Sequence, residues 1–509
     1  MNNLSPKDDS DIVVNAFAIA LAGISPAFHI KERPDGSFLV FELAAPSARF
    51  FELLDGVNDS LPDENMFKNR VSISARPQKP TNVLTIPETA ILQQELSASL
   101  TVDRNTFGSD FLARYTPSVT SLEKEIVVPT NHIVYGRRGS GKSSLLAYSM
   151  HHLRLSRSPF CWVAMQAYAA RSDRQAIASV LSEIFSEAAQ YAASPTELHS
   201  LADELLALGE SDDEEVVANK LNRMVPRMRK TLAAVSGAKS FTVFLDDIHV
   251  LDYALQPELL SFIYSLARGN KTYIKVSGIE QLTNLWAGDI KRGMEPPHDI
   301  QILMLDHNLT SPDQSRSHIK SILDKHAVYC GLPNIDYLAN QDYIDRLVLS
   351  AAAVPRDALS LFSKSISRSV LKSQKSISIT SLNAAASEAI EEKLKDVRKD
   401  AFSTSEGTVA HQLQIVKRFC AENKKNAFLV KIDNANDTYN GVQKLVALRF
   451  VHVLHQGITP HKAGERYFAL MLDYGFYIGI RAARSMELIP DTPRQLAAKE
   501  LRTLPILPS

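Results

Sequence analysis

Cysteine is scarce. Cys161, Cys330 and Cys420 are the three in 509 residues, with no CxxC pair and no Cys/His spacing. Neither a disulfide framework nor a structural zinc site is indicated, and a reducing cytoplasm is expected. An excess of charge is also missing: 56 Lys+Arg against 57 Asp+Glu leave a net charge of -1 at pH 7. The chain is therefore no polyelectrolyte, and a nucleic-acid surface would have to come from local segregation of charge. Long apolar runs are absent. The N-terminal "IVVNAFAIALAGI" is too short to cross a bilayer, has no basic flank and follows the acidic "MNNLSPKDDSD", so neither a signal peptide nor a membrane span is expected. With 20 Gly and 24 Pro there is no collagen-like or low-complexity bias, and no internal repeat is visible.

What is present is an ordinary globular composition, 45 % apolar and 22 % charged, on a chain too long for one core and suited to about three units. Residues 1–100 mix a helical run near Asp11 to Gly23 with strand-like "SFLVFELAA" and "NRVSISARP". A Pro-rich "RPQKPTNVLTIPET" follows, and a small α+β accessory domain with a linker is expected. Residues 101–310 carry short apolar runs, "HIVYG", "FCWVAM", "FTVFLDD", "TYIKVSG" and "IQILML", separated by helical segments. That alternation predicts an α/β core with a parallel sheet. The acidic "GESDDEEVV" within it reads as a helix N-terminus. Residues 311–400 read as almost wholly helical, with Pro312 at a first helical position. Residues 401–509 begin helical and end with strand-like "RFVHVLHQ" and "YFALMLDYGFY" around "GITPHKAGER", which predicts a winged helix.

The chemistry concentrates in "HIVYGRRGSGKSSLLAYSM". Gly136, Arg137, Arg138, Gly139, Ser140, Gly141, Lys142 and Ser143 fit G-x-x-x-x-G-K-[ST], with Ser144 next. Glycines let the backbone turn so that its N–H groups and a helix N-terminus face phosphate oxygens. Lys142 is expected to reach the β- and γ-phosphates and Ser143 to ligate magnesium, with the apolar run before and the helical run after supplying the required context. A second acid is needed for the metal, and "SFTVFLDD" offers Asp246 at the end of a buried strand. Asp247 follows where a carboxylate would polarise the attacking water, one methylene shorter than a Glu.

Further polar residues fall at suggestive places. Ser277 ends "TYIKVSG", beside the expected metal-binding strand, and could sense the γ-phosphate; a polar strand end is also commonplace. Arg356 in "AAAVPRDALSLF" stands at a helix start set by Pro355 and Asp357, from which it could fold onto the phosphates. Lys291 and Arg292 in "AGDIKRGMEPP" precede the last strand, from which Arg292 could complete a neighbouring subunit's site as an arginine finger.

Phosphate loop, "FLDD", polar strand end, "VPRDAL" and winged helix, in that order, resemble the AAA+ ATPases of the origin-recognition-complex type. "ISITSLNAAASEAI" looks like the strand-to-helix close of that family's lid. The resemblance covers roughly residues 106–484. It implies a P-loop NTPase core with a helical lid, ATP and Mg2+ as ligands, ATP hydrolysis, homo-oligomerisation or a partner protein held through residues 1–100, and a bacterial relative with its own N-terminal domain. Ser277 stands where the family usually has Asn or Thr. STAND-type signalling ATPases share the core order, and an antiphage-defence switch without DNA binding is the alternative; no repeat-rich sensor follows the core. No LSGGQ-like signature suggests an ABC ATPase.

Between His411 and Arg484 there are eleven Lys+Arg and five Asp+Glu, a local net of +6. On a winged helix this suits duplex DNA phosphates. Lys444 and Arg449 would act from "TYNGVQKLVALR", and His461, Lys462 and Arg466 from the hairpin tip. Winged helices also dock proteins, and a basic face is often only solvated.

Overall fold

In the computed structural model, residues 6–101, 110–169, 171, 173–236, 239–305, 309–399, 406–433, 435–460, 464–477 and 486–508 are described. The chain divides into two compact units: residues 102–111 with Pro117–Asp306, and Met1–Thr101 with Leu112–Thr116 and His307–Ser509. Among the described residues no helix is long and apolar enough to cross a membrane.

The N-terminal residues form α1 (Pro6–Ala20), β1 (Ala27–Arg33), β2 (Gly36–Leu43), α2 (Ala48–Ser60), β3 (Val71–Ala75) and α3 (Pro87–Ala98). β2 pairs antiparallel with β1 and parallel with β3. The sequence reading missed β1, because all seven of its residues are exposed and it has no buried alternation to detect.

Short helices α4 (Phe111–Arg114) and α5 (Glu123–Ile126) precede the α/β unit. There follow β4 (His132–Tyr135), α6 (Lys142–Leu155), β5 (Phe160–Ala164), α7 (Gln175–Ala189), α8 (Thr196–Gly209), α9 (Glu214–Ser236), β6 (Phe241–Asp246), α10 (Leu255–Ala267) and β7 (Thr272–Gly278). A two-stranded ribbon, β8 (Trp286–Ala287) and β9 (Arg292–Gly293), leads to β10 (Gln301–Met304). The main sheet has the order β10-β4-β7-β6-β5 and is parallel throughout. The five apolar runs of the sequence are its five strands. β4 is buried along its whole length, and β5 and β6 are buried at all but their last residue, as expected when helices cover both faces. Its core joins Ile133, Val243 and Ile274 of the strands to Leu181 of α7 and Leu260 of α10. Among the described residues three α-helices, α7, α8 and α9, separate β5 from β6.

The chain continues with α11 (Pro312–Tyr329), α12 (Gln341–Ser350), α13 (Pro355–Leu371), α14 (Ile379–Lys399), α15 (Glu406–Asn423), β11 (Ala427–Lys431), α16 (Asp437–Ala447), β12 (Val451–Ile458), β13 (Tyr467–Leu472) and α17 (Ala498–Arg502). Pro312 and Pro355 each sit in the first turn of their helices, where a missing N–H and a fixed φ cost nothing. Residues 376–378 form no strand: Ile377 N donates to Leu338 O, and α14 begins at once. The expected strand-to-helix close is thus a helix alone.

Two boundaries drawn from the sequence need correction. Residues 1–100 are not a separate accessory domain: Phe17, Phe41 and Phe50 share one core with Leu323, Tyr343, Phe362 and Leu382 of the helical layer. The supposed linker runs into α3, whose Ser97 hydroxyl meets that of Ser363 on α13 at 3.3 Å. Nor does the C-terminal region close on itself. Its sheet, ordered β11-β13-β12, is buried on both faces. Phe428, Val430, Leu470 and Leu472 face α15 and α16, while Ala427, Leu429, Ala469 and Met471 enter the shared core. The expected two-stranded hairpin has β11 as a third strand, and α16 is the one helix between β11 and β12 among the described residues. A helix-turn-helix needs two.

Candidate functional site

The site is built where β4 ends. Gly139 and Gly141 take φ of 82° and 101°, a region that glycine enters without Cβ strain. Gly136 is packed so closely that a Cβ there would lie 2.4 Å from Ser140 Oγ. Arg137 is half-buried, Arg138 exposed and Ser140 buried, and the Ser140 hydroxyl has no hydrogen-bond partner. The first turn of α6 has no side-chain cap, so its leading N–H groups lack the usual internal acceptor. An orphaned buried hydroxyl and an uncapped helix start behind two left-handed glycines fit phosphate oxygens.

Lys142 and Ser143 open α6, followed by Ser144. The Lys142 side chain is 5 % exposed, with Nζ 3.7 Å from Asp247 Oδ1 and donating to Arg137 O at 3.4 Å. Asp246 ends β6, and its Oδ1 accepts from Ser143 Oγ at 3.0 Å and from Ser277 Oγ at 2.6 Å. Burial, and then the neighbouring Asp247 charge, raise the Asp246 carboxyl to about 6 against the pull of those hydroxyls and of Lys142. A half-buried carboxylate so held, with a hydroxyl from the phosphate loop on the same oxygen, is a donor set suited to a hard divalent cation. Among the described residues there is no group of three or more His, Cys, Asp or Glu side chains able to hold a metal by themselves. The remaining positions would therefore be filled by phosphate oxygens and water.

Asp247 adopts φ 62°, a left-handed geometry that an Asp tolerates and most side chains resist. Its carboxylate, 28 % exposed, stands 3.7 Å from both Lys142 Nζ and His249 Nδ1. Burial first, then Lys142 and Arg138, lower the His249 pKa to about 4 despite Asp247, so the imidazole is neutral at pH 7. The sequence reading missed His249; its position two residues past the acids was the available signal.

The strand order gives Ser277 its role. β7 lies between β4 and β6, so the end of β7 reaches both the phosphate loop and the acids. Ser277 is fully buried. It donates to Asp246 and accepts from Asp247 N at 2.7 Å, so its one proton is committed within its own sheet. Lys275, two residues earlier, was also missed. It is 2 % exposed and donates to Val128 O at 2.6 Å and Thr130 O at 2.9 Å, with His132 Nδ1 at 2.7 Å. It pins the chain entering β4.

The remaining predicted residues do not converge here. Arg292, on β9, lies 3.0 Å from Glu258 Oε1, which also holds Arg174 Nε at 3.0 Å. Arg356 is half-buried in the first turn of α13 and belongs to the other unit. Lys444 and Arg466 are exposed; His461 and Lys462 lie outside the described residues. Arg449 overturns its expectation: its side chain is 13 % exposed and its Nη1 is 2.7 Å from Asp357 Oδ1, so its charge is spent inside the protein.

Residues 126–276 match the AAA ATPase domain family, and with the parallel sheet and its phosphate loop they define an AAA+ P-loop NTPase fold. The chain is similar to the solved structure of Cdc6p from Pyrobaculum aerophilum (14 % identity, TM-score 0.33, 72 % of this chain and 88 % of that one). It is also similar to ORC1 of Aeropyrum pernix in complex with DNA (12 %, 0.39, 72 % and 91 %) and to the RuvB Holliday junction branch migration motor of Thermotoga maritima (12 %, 0.31, 68 % and 80 %). Comparison with curated protein sequences finds no match.

Proposed function

We propose that this chain is an ATP-dependent switch of the AAA+ type, binding Mg-ATP and hydrolysing it, with nucleotide state coupled to assembly and to duplex DNA. The observation that supports it best is the convergence of Lys142, Ser143, Asp246 and Asp247 at the ends of β4 and β6, joined through Ser277 on the strand between. Magnesium, when bound, would screen phosphate charge; Ser143 and Asp246 would hold it. Lys142, nearly buried and beside an uncapped helix start, would draw the β- and γ-phosphates into the loop. Asp247 would accept the proton of an attacking water, its carboxylate held facing the site by its left-handed backbone and by Lys142. Neutral His249 would stand beside Asp247 without competing for that charge. Arg356 is assigned to reading nucleotide state, and Arg292, on release from Glu258, to a neighbouring subunit's site; both assignments rest on sequence position.

The DNA part rests on the basic balance of residues 411–484 and on exposed Lys444 and Arg466. A second reading, an ATP-gated assembly that controls a protein partner without DNA, as in antiphage defence, is favoured by the inward Arg449 and the single helix between β11 and β12.

The test is nucleotide binding and hydrolysis with and without duplex DNA at two salt concentrations. Lys142→Ala should abolish nucleotide binding. Asp247→Asn should retain it and lose hydrolysis by about a hundredfold or more. Stimulation by DNA that disappears at high salt supports the first reading. Normal nucleotide binding with no response to DNA sinks it and leaves the second.

A further inference from the structure

Charge in the α/β unit is segregated along the chain. Residues 126–172, 216–245 and 259–279 carry six, six and three Lys+Arg respectively, and no Asp or Glu. The parallel sheet gathers the ends of these segments. Arg157, Lys239 and Lys271 lie in the loops that enter β5, β6 and β7, three adjacent strands in register (Phe160↔Thr242, Phe241↔Thr272). Strands are about 4.8 Å apart, so the three loops form a continuous rim at the end of the sheet opposite the phosphate loop.

Arg229 and Lys230 from α9 and Arg268 from the end of α10 extend the rim. Arg229 Nη2 donates to Arg268 O at 2.8 Å, and Lys239 Nζ donates to Ser156 O at 2.6 Å and Arg157 O at 3.2 Å. These contacts fix the loops to one another but neutralise no charge. All six cations are exposed, and none forms an ion pair with a carboxylate among the described residues. A groove of about 400 Å3 opens between Asn131, Tyr264, Arg268, Lys271 and Tyr273. Tyr264 of its lining donates to Asp299 Oδ1 at 2.7 Å, and the other oxygen of that carboxylate accepts from Glu295 N at 3.1 Å.

Cations complement helix C-termini, and one or two per helix end would need no further account. Six exposed cations gathered at one end of the sheet, none paired with a carboxylate among the described residues, exceed that. We infer that this rim, at the N-terminal ends of β5, β6 and β7, is a binding surface for the phosphate backbone of duplex DNA. A duplex presents a negative charge about every 1.7 Å along its axis, so a rim of this length meets several phosphates at once. The contacts read no bases and give binding without sequence preference. The inference deepens the DNA part of the reading above and rests on it only for the choice of polyanion.

The experiment is the salt dependence of binding of the full chain to a short fluorescent duplex. The wild type is compared with a rim variant (Arg157→Ala, Arg268→Ala, Lys271→Ala) and a C-terminal variant (Lys444→Ala, Arg466→Ala), with ATP binding as the check on folding. The rim variant is expected to bind ATP normally and to lose at least tenfold in DNA affinity at low salt. Its slope of log K against log salt should flatten by about 0.9 for each phosphate contact removed. An unchanged slope in the rim variant with a loss in the C-terminal variant overturns the rim and leaves the proposed function standing. No duplex binding by the wild type overturns both. Equal retention of a poly-glutamate peptide by the rim also overturns the inference, making the surface a dock for acidic protein.

Discussion

Ser277 shows how much one hydroxyl can hold. It donates to a carboxylate whose pKa burial has raised, and it accepts from the backbone N–H of the next acid. Ser277→Ala leaves Asp246 with one donor fewer and Asp247 N without its acceptor, both half-buried beside the fully buried Ser277. A loss of about 2 kcal/mol in unfolding free energy is expected, measured by urea denaturation without nucleotide. An unchanged midpoint would mean that Ser143 alone suffices. The same variant should weaken magnesium-dependent nucleotide binding, because without Ser277 the Asp246 carboxyl is harder to ionise. From the sequence, Ser277 could be picked out as a polar strand end, but whether its proton faces a phosphate or a carboxylate depends on β7 lying between β4 and β6. That order is set by packing, not by any local signal.

At the scale of elements, the first turn of α13 is tied to the C-terminal sheet. Asp357 receives Arg449 from the end of α16 at 2.7 Å and Lys393 from α14 at 3.3 Å. Lys393 also reaches Asp473 at 3.4 Å, and Asp473 meets His452 of β12 at 3.0 Å. Burial alone would raise both carboxyls, but Lys393, with Arg449 on Asp357 and His452 on Asp473, outweighs it and holds both below the usual carboxylate range. A carboxyl whose pKa is lowered by folding adds stability above its unfolded pKa, near 4, and loses it as pH falls through the folded value. Asp357→Asn should therefore cost about 3 kcal/mol at pH 7, and the gap from wild type should narrow progressively as pH falls below about 4. Denaturant midpoints at pH 7 and pH 3 provide the measurement; an equal gap at both would show that the cost is packing rather than charge. The residue before Asp357 is Arg356, so the turn assigned to read nucleotide state is anchored to the end of the helix assigned to DNA.

For the whole molecule, the two units differ in what they need in order to fold. Residues 117–306 have a core of their own, so this fragment is expected to fold alone with a cooperative thermal transition. Residues 309–509 share their largest core with α1, β2, α2 and α3. Expressed without residues 1–101 they should lack a cooperative transition and bind a hydrophobic dye, since α11 and α13 would lose α3, which packs against both. Two cooperative fragments would contradict the shared core. The five parallel strands, the phosphate loop, the acidic pair at the end of β6 and the proline starts of α11 and α13 are legible in the chain alone. Each is a local pattern, an apolar run, a glycine spacing or a fixed φ, written within a few residues. Long-range packing settles the rest: that β7 separates β4 from β6, that Arg449 turns inward to Asp357 while Lys444 stays outside, that residues 1–100 belong to the helical layer, and that three acid-free segments meet on one rim. These depend on which distant surfaces bury each other, and a residue's charge or hydrophobicity does not say which neighbour it will find.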